Sequence, residues 1–145
     1  MKPEKLGAGY YSLSDTEKME VLKKISAFLS QQAEIVFAFL YGSFLREKFF
    51  RDIDIGTFVK SIDPEEYFNF ENSQAYQLEQ KLGFLLPMEV KIINQAPISF
   101  RFEVIRGTLL FSRDEALQAD FMEATARKYL DMGPVRRHYL REAIA

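Results

Sequence analysis

Apolar residues recur along this chain in two rhythms, and the changes of rhythm mark its elements. In "SDTEKMEVLKKISAFLSQQ", Met19, Leu22, Ile25, Phe28 and Leu29 fall three and four residues apart. That spacing predicts an amphipathic helix. Ser14, with Glu17 three residues on, forms a capping-box signature at its start. "EIVFAFLY" (34–41) is a continuous apolar run too short for a helix, so a strand covered on both faces is expected. Gly42 and Ser43 stop it, and "FLREKFF" is left as a short helix or a turn.

The next segment, "RDIDIGTFV" (51–59), alternates, with Ile53, Ile55 and Val59 on one side and Asp52 and Asp54 on the other. Pro64 suits a first helical position, and a helix is predicted from there to about Leu82. "MEVKII" (88–93) alternates again, with Val90 and Ile92 opposite Glu89 and Lys91. Pro97 begins a short helix, Gly107 ends it, and "GTLLF" is a last strand. Residues 113–131 and 135–144 are predicted helices separated by Gly133 and Pro134, and residues 1–12 are expected to be a loose arm. This order predicts an α/β (α+β) domain: one small mixed sheet, helices mainly on one face, and a C-terminal helical tail.

Length fits that picture. A chain of 145 residues is one domain, here 1–145 with its core at about 14–115. Apolar residues are 48% and the net charge is −2, so charge alone points to no nucleic-acid or membrane partner. Cysteine is absent, which excludes disulfides, thiolate catalysis and cysteine-held metals. No apolar run approaches the roughly 20 residues of a membrane span, and the first residues lack the apolar stretch of a signal peptide. The expected location is cytoplasmic.

The acidic strand changes the picture most. Side chains at i and i+2 of a strand share a face, with Cα atoms roughly 6.5–7 Å apart. Asp52 and Asp54 so placed repel each other unless something compensates, and a divalent cation does so well. Glu89 on the next strand is a third candidate ligand. Three acids around metal ions suit phosphoryl or nucleotidyl transfer, because the ions neutralise phosphate charge and a carboxylate can draw a proton from an attacking hydroxyl. Upstream, the Gly42-Ser43 turn could hold phosphate oxygens through its hydroxyl and N–H groups, and Arg46 and Arg51 bracket it with positive charge. Each piece also has an ordinary reading. Asp-x-Asp occurs by chance, Gly-Ser can simply end a strand, and Lys91 can neutralise Glu89 in an ion pair. His138, the only histidine, rules out a histidine metal cluster; with Arg136, Arg137 and Arg141 it reads as a solvated basic helix face. Phe68, Phe70, Tyr76 and Phe84 read as core or interface residues, and Tyr10, Tyr11 and Tyr41 have no assigned role.

Taken together, a strand, Gly42-Ser43, eight residues and then "DIDI" resemble the DNA polymerase β-type nucleotidyltransferase superfamily. "GSFLR", "IINQAP" and "VIRGTLLFSRD" resemble the corresponding segments of its minimal nucleotidyltransferases (MNT), over about residues 35–115. The likeness is nearest to the antitoxins of HEPN/MNT toxin–antitoxin pairs. It implies an enzyme that uses ATP and Mg²⁺ to attach AMP to a tyrosine of a HEPN-type toxin partner. It carries phosphate binding onto Gly42, Ser43 and Arg46, and metal binding and catalysis onto Asp52, Asp54 and Glu89. The third acid is usually Asp, so Glu89 sets its carboxylate about 1 Å further out. Glu47 stands where the family has glycine. Two alternatives remain: an MNT-fold module that neutralises its partner by occlusion, and an adenylyltransferase of small molecules.

Overall fold

The computed structural model describes residues 1–133, 138, 141 and 142. Strands β1 (Glu4–Lys5) and β2 (Tyr11–Ser12) form a small antiparallel hairpin. Helix α1 (Asp15–Ser30) follows, then β3 (Ile35–Tyr41), the single turn α2 (Ser43–Arg46) and β4 (Ile53–Val59). A 3₁₀ turn at Pro64–Glu66 leads into α3 (Tyr67–Lys81) and then β5 (Met88–Ile92), α4 (Ile98–Ile105), β6 (Thr108–Ser112) and α5 (Glu115–Leu130). The main sheet has the order β5-β4-β3-β6. β3 runs antiparallel to β4 and β6, and β4 runs parallel to β5. The expected mixed fold with one small sheet is therefore what forms.

The capping box closes α1 as the sequence implies. Ser14 Oγ accepts from the Glu17 N–H at 3.2 Å, and the Glu17 carboxylate accepts from the Ser14 N–H at 3.0 Å. These bonds hold the exposed Glu17 carboxyl below its usual range. Val21, Ile25, Phe28 and Leu29 are buried by α1, whereas Met19 is 61% exposed and is no part of the expected stripe. The other end of α1 is held by Arg113, which donates to the carbonyls of Ser30 and of Gln32 (3.2 Å), and to Ile35 (2.9 Å).

Every residue of β3 is buried, as a central strand covered on both faces must be. Ile35, Ala38 and Leu40 join α1 and α3 in one cluster; Phe37, Phe39 and Tyr41 join Val104 of α4, Phe121 and Met122 of α5 in another. A bulge in the β3–β4 pairing lets Val36 share the second face with Phe37. Helical cover thus reaches further onto the second face than the sequence pattern implies.

One correction concerns the periphery. The N-terminal residues are not a loose arm: Tyr11 and Phe50 exchange backbone hydrogen bonds of 2.7 and 3.0 Å, and their rings stack. The burial of Phe50 supplies an anchor that strand periodicity alone does not reveal. Of the four aromatics read as core or interface, Phe70 packs against the core, and Phe68, Tyr76 and Phe84 are 58–70% exposed, which leaves them the interface reading. The helix expected over 135–144, with Arg136 and Arg137, lies largely outside the described residues; His138 is exposed and pairs with Glu142 at 3.1 Å.

The edge of the sheet at β5 is closed by side chains. Glu71 and Glu79 of α3 accept from the N–H groups of Ile92 (2.7 Å) and Met88 (2.9 Å). Eight helical residues rise about 12 Å and four strand residues about 13 Å, so the two spacings match. Asn94 does similar work beyond β5, bonding both backbone groups of Val59 at 2.8 and 2.9 Å.

Gly107 lets β6 reach β3: a β-carbon there would sit 2.0 Å from the Leu40 carbonyl oxygen. Substitution Gly107→Ala should therefore cost about 2–4 kcal/mol in urea unfolding. Gly7→Ala, where the added carbon meets nothing within 4 Å, should change stability by less than about 1 kcal/mol. Equal losses in the two variants would refute this account of the contact.

Candidate active site

The site begins where β3 ends. Gly42 has φ +86°, a conformation that side chains disfavour, and a β-carbon there would lie 2.3 Å from Asp54 Oδ2. Two requirements, backbone and space, therefore select glycine. Ser43 opens the turn α2, whose Phe44 is buried edge-on against Phe50 with ring centres 4.8 Å apart. Lys18 of α1 fastens this turn from outside. Its ammonium donates to the carbonyls of Phe44 (2.9 Å) and Glu47 (3.1 Å) and lies over the rings of Phe44 and Phe50.

From Phe50 the chain turns into β4, delivering Asp52 just before the strand and Asp54 within it. Register brings the rest. Tyr41 lies opposite Asp54 on β3, and Glu89 lies opposite Asp54 on β5. Opposed residues in adjacent strands share a face. Carboxylate oxygens of Asp52, Asp54 and Glu89 accordingly lie within 4.8 Å of one another. All three acids expected from the sequence meet.

Like charges this close perturb one another. Burial, the Asp52 charge, and the hydrogen bond and charge of Glu89 push Asp54 up to about 7. Burial and the Glu89 charge also raise Asp52, against a hydrogen bond from Asp54 and the charge of Arg51. Tyr41 is held well above the ordinary tyrosine range by burial and by Asp54, Glu89, Asp52 and Glu103, so its hydroxyl stays neutral. Tyr41 was without a role in the sequence; its place next to Gly42 on a buried strand is the signal that puts it on the acid face.

The cations are distributed differently from expectation. Arg46 does not stand free beside the turn: it pairs with Glu103 of α4 at 3.2 Å. Arg51 lies over the ring of Tyr10, 4.7 Å from its centre. Lys91 approaches Glu89 at 3.8 Å, with both side chains about half exposed. Such a pair contributes little energy and leaves the Glu89 oxygens within reach of the two aspartates.

The donor set fits a hard divalent cation. Three carboxylates converge, and burial together with the two neighbouring acids pushes one of them, Asp54, up to about 7. Mg²⁺ binds through one or two carboxylates, completing its shell with water and phosphate oxygens. Asp52, Asp54 and Glu89 are the residues that would hold it.

The chain belongs to the polymerase β nucleotidyltransferase family, whose model matches residues 23–116. That match spans the whole sheet and all three acids. No curated protein matches the sequence significantly. Among solved structures, the chain is similar to one from a tri-AMPylated Shewanella oneidensis HEPN toxin in complex with MNT antitoxin. The TM-score is 0.62 at 17% identity, covering 88% of this chain and 99% of that one. It is also similar to a chain of the toxin–antitoxin MntA–HepT (TM-score 0.57, 14% identity, 91% and 100% covered). A toxin–antitoxin with AMP-PNP gives a TM-score of 0.59 at 16% identity, with 92% and 100% covered. At these identities the likeness is one of fold. Among the described residues, no helix is long and apolar enough to cross a membrane.

The raised Asp54 carboxyl sets a pH dependence. The folded chain binds this proton more tightly than the unfolded chain does, since the group moves up from 3.8 to about 7. Its stabilising contribution is therefore complete below about pH 4 and is lost as pH rises through 7. Discounted for solvent at the open site, the metal-free chain should lose about 1–2 kcal/mol over that range relative to Asp54→Asn. Thermal melts of both proteins from pH 4 to 8 check this; parallel curves would contradict it. Millimolar Mg²⁺ at pH 7.5 should raise the melting temperature of the native chain and leave that of Asp54→Asn nearly unchanged.

Proposed function

We propose that this chain is a Mg²⁺-dependent nucleotidyltransferase that moves AMP from ATP to a tyrosine hydroxyl of a HEPN-type toxin partner, and so acts as its antitoxin. The observation that carries the reading is the convergence of three carboxylates within 4.8 Å beside the positive-φ Gly42 turn. Family membership supports nucleotidyl transfer, and the named HEPN–MNT complexes support the partner.

Gly42 and Ser43 hold the triphosphate through N–H and hydroxyl donors, and Arg46 adds charge there only by leaving Glu103. Asp52 and Asp54 supply metal ligands. When bound, Mg²⁺ neutralises phosphate oxygens and strengthens pyrophosphate as a leaving group. Glu89, at the open rim, adds a ligand or takes the proton of the tyrosine hydroxyl. The tyrosine oxygen bonds to the α-phosphorus, the bond from that phosphorus to the bridging oxygen breaks, and pyrophosphate departs with the electron pair. Tyr41 is buried and neutral, so it is not the acceptor.

The Glu89–Lys91 pair favours a second reading, a module that neutralises the partner by occlusion alone. Incubation with Mg-ATP and the protein encoded beside this one separates the two. Transfer should add one or more AMP-sized mass increments to the partner's tyrosines. Asp52→Asn with Asp54→Asn should lower the rate by about 100-fold or more and abolish protection from the toxin. Protection that survives both substitutions, with no mass gain, would establish occlusion instead.

A further inference from the structure

Lys91 is unused by the chemistry above, although it sits on the floor of the site. In the parallel β4–β5 register it faces Gly56, two residues along from the Asp54–Glu89 pair and on the same face. Gly56 has no side chain of its own, and the space over it is filled by Val104 of α4. The lysine is 45% exposed and its Nζ lies 3.8 Å from Glu89 Oε1. Of the arginines nearby, Arg46 and Arg106 both pair with Glu103, at 3.2 and 3.8 Å, while Arg51 covers Tyr10 and lends its charge to Asp52 rather than to Glu89.

Charge then follows a simple sequence. Without metal, Lys91 is the cation paired with the acid trio among the described residues. A divalent ion held by Glu89 takes over that role with twice the charge. Lysine has a long flexible stem and a compact charge, so it can swing by several ångströms at little cost. Released from Glu89, it faces the space where a nucleoside triphosphate would bring about four negative charges at neutral pH.

We propose that Lys91 exchanges partners: it is the counter-ion of Glu89 in the nucleotide-free chain and a ligand of the nucleotide's phosphates in the loaded one. The proposal rests on the reading of the trio as a metal–nucleotide site, and does not depend on which hydroxyl accepts AMP. It predicts opposite changes in two affinities. Removing the lysine frees Glu89, so Lys91→Ala should bind Mn²⁺ alone about fivefold more tightly. The same variant should bind Mg²⁺–AMP-PNP about tenfold more weakly, having lost a charge-assisted contact. Lys91→Arg should stay within about threefold of the native chain in both.

Mn²⁺ binding is read by electron paramagnetic resonance and nucleotide binding by calorimetry, with Lys91→Gln as a second neutral variant and circular dichroism as the check on folding. A lysine that only supports the strand would move both affinities the same way or neither, and either result overturns the exchange. Failure of the native chain to bind Mg²⁺–AMP-PNP at all would overturn the nucleotide reading together with it. Nucleotide binding by the native chain that is unchanged in Lys91→Ala overturns the lysine's role alone.

Discussion

The contact between Asp54 and the Gly42 backbone fixes everything else in this site. A carboxylate oxygen rests 2.3 Å from where a β-carbon of residue 42 would stand. One strand pair thereby joins two chemically different parts, an anion-holding turn and a metal-holding acid, in van der Waals contact. The register Tyr41↔Asp54 is the cause, and a slip by one residue would send Asp54 into the α1–α3 core. Alternation on β4 prevents the slip, because Ile53 and Ile55 are fully buried on the opposite face.

A site of mutually repelling acids needs rigid surroundings, and the scaffold supplies them at its weakest points. The loop between α2 and β4 would be free to move, but Lys18 holds both its carbonyls and its aromatic rings, and the N-terminal hairpin is bridged to Phe50. β5 is an edge strand carrying a catalytic candidate. The N–H groups of Met88 and Ile92 on its outer edge are occupied by Glu79 and Glu71, which also hinders addition of a foreign strand there. The polar side chains far from the acids thus serve the same end as those within them: they keep three carboxylates from relaxing apart.

Local chemistry was legible in the sequence, and long-range pairing was not. The capping box, the buried run of β3 and the two alternating strands each report their environment through spacing, and each formed as spacing implied. The acid trio was legible for the same reason, since alternation fixes the face of Asp54 and Glu89 once the strands are neighbours. Arg46 illustrates the opposite case. Nothing near it in sequence announces Glu103, 57 residues away, so its ion pair required the packing of α4. Met19 failed as a core residue because apolar character alone does not say which side of a helix faces the sheet. The N-terminal hairpin was hidden because two-residue strands are too short to show a period.

Glutamate as the third acid becomes intelligible in this setting. An aspartate at position 89 would keep its carboxylate about one bond length closer to the backbone of the edge strand. Glutamate carries it outward, where it can still approach Asp54 and also meet a lysine two residues further along the same face. The pair Glu89 and Lys91 is thus a coordinated alternative to a lone aspartate: the longer acid is easier to misplace, and the adjacent ammonium limits where it can go. When no cation is bound, Lys91 offsets part of the Glu89 charge, while Glu89 itself adds to the electrostatic penalty that Asp54 bears. Stability of the empty fold and affinity of the filled site oppose each other here, as they do wherever like charges are gathered for chemistry.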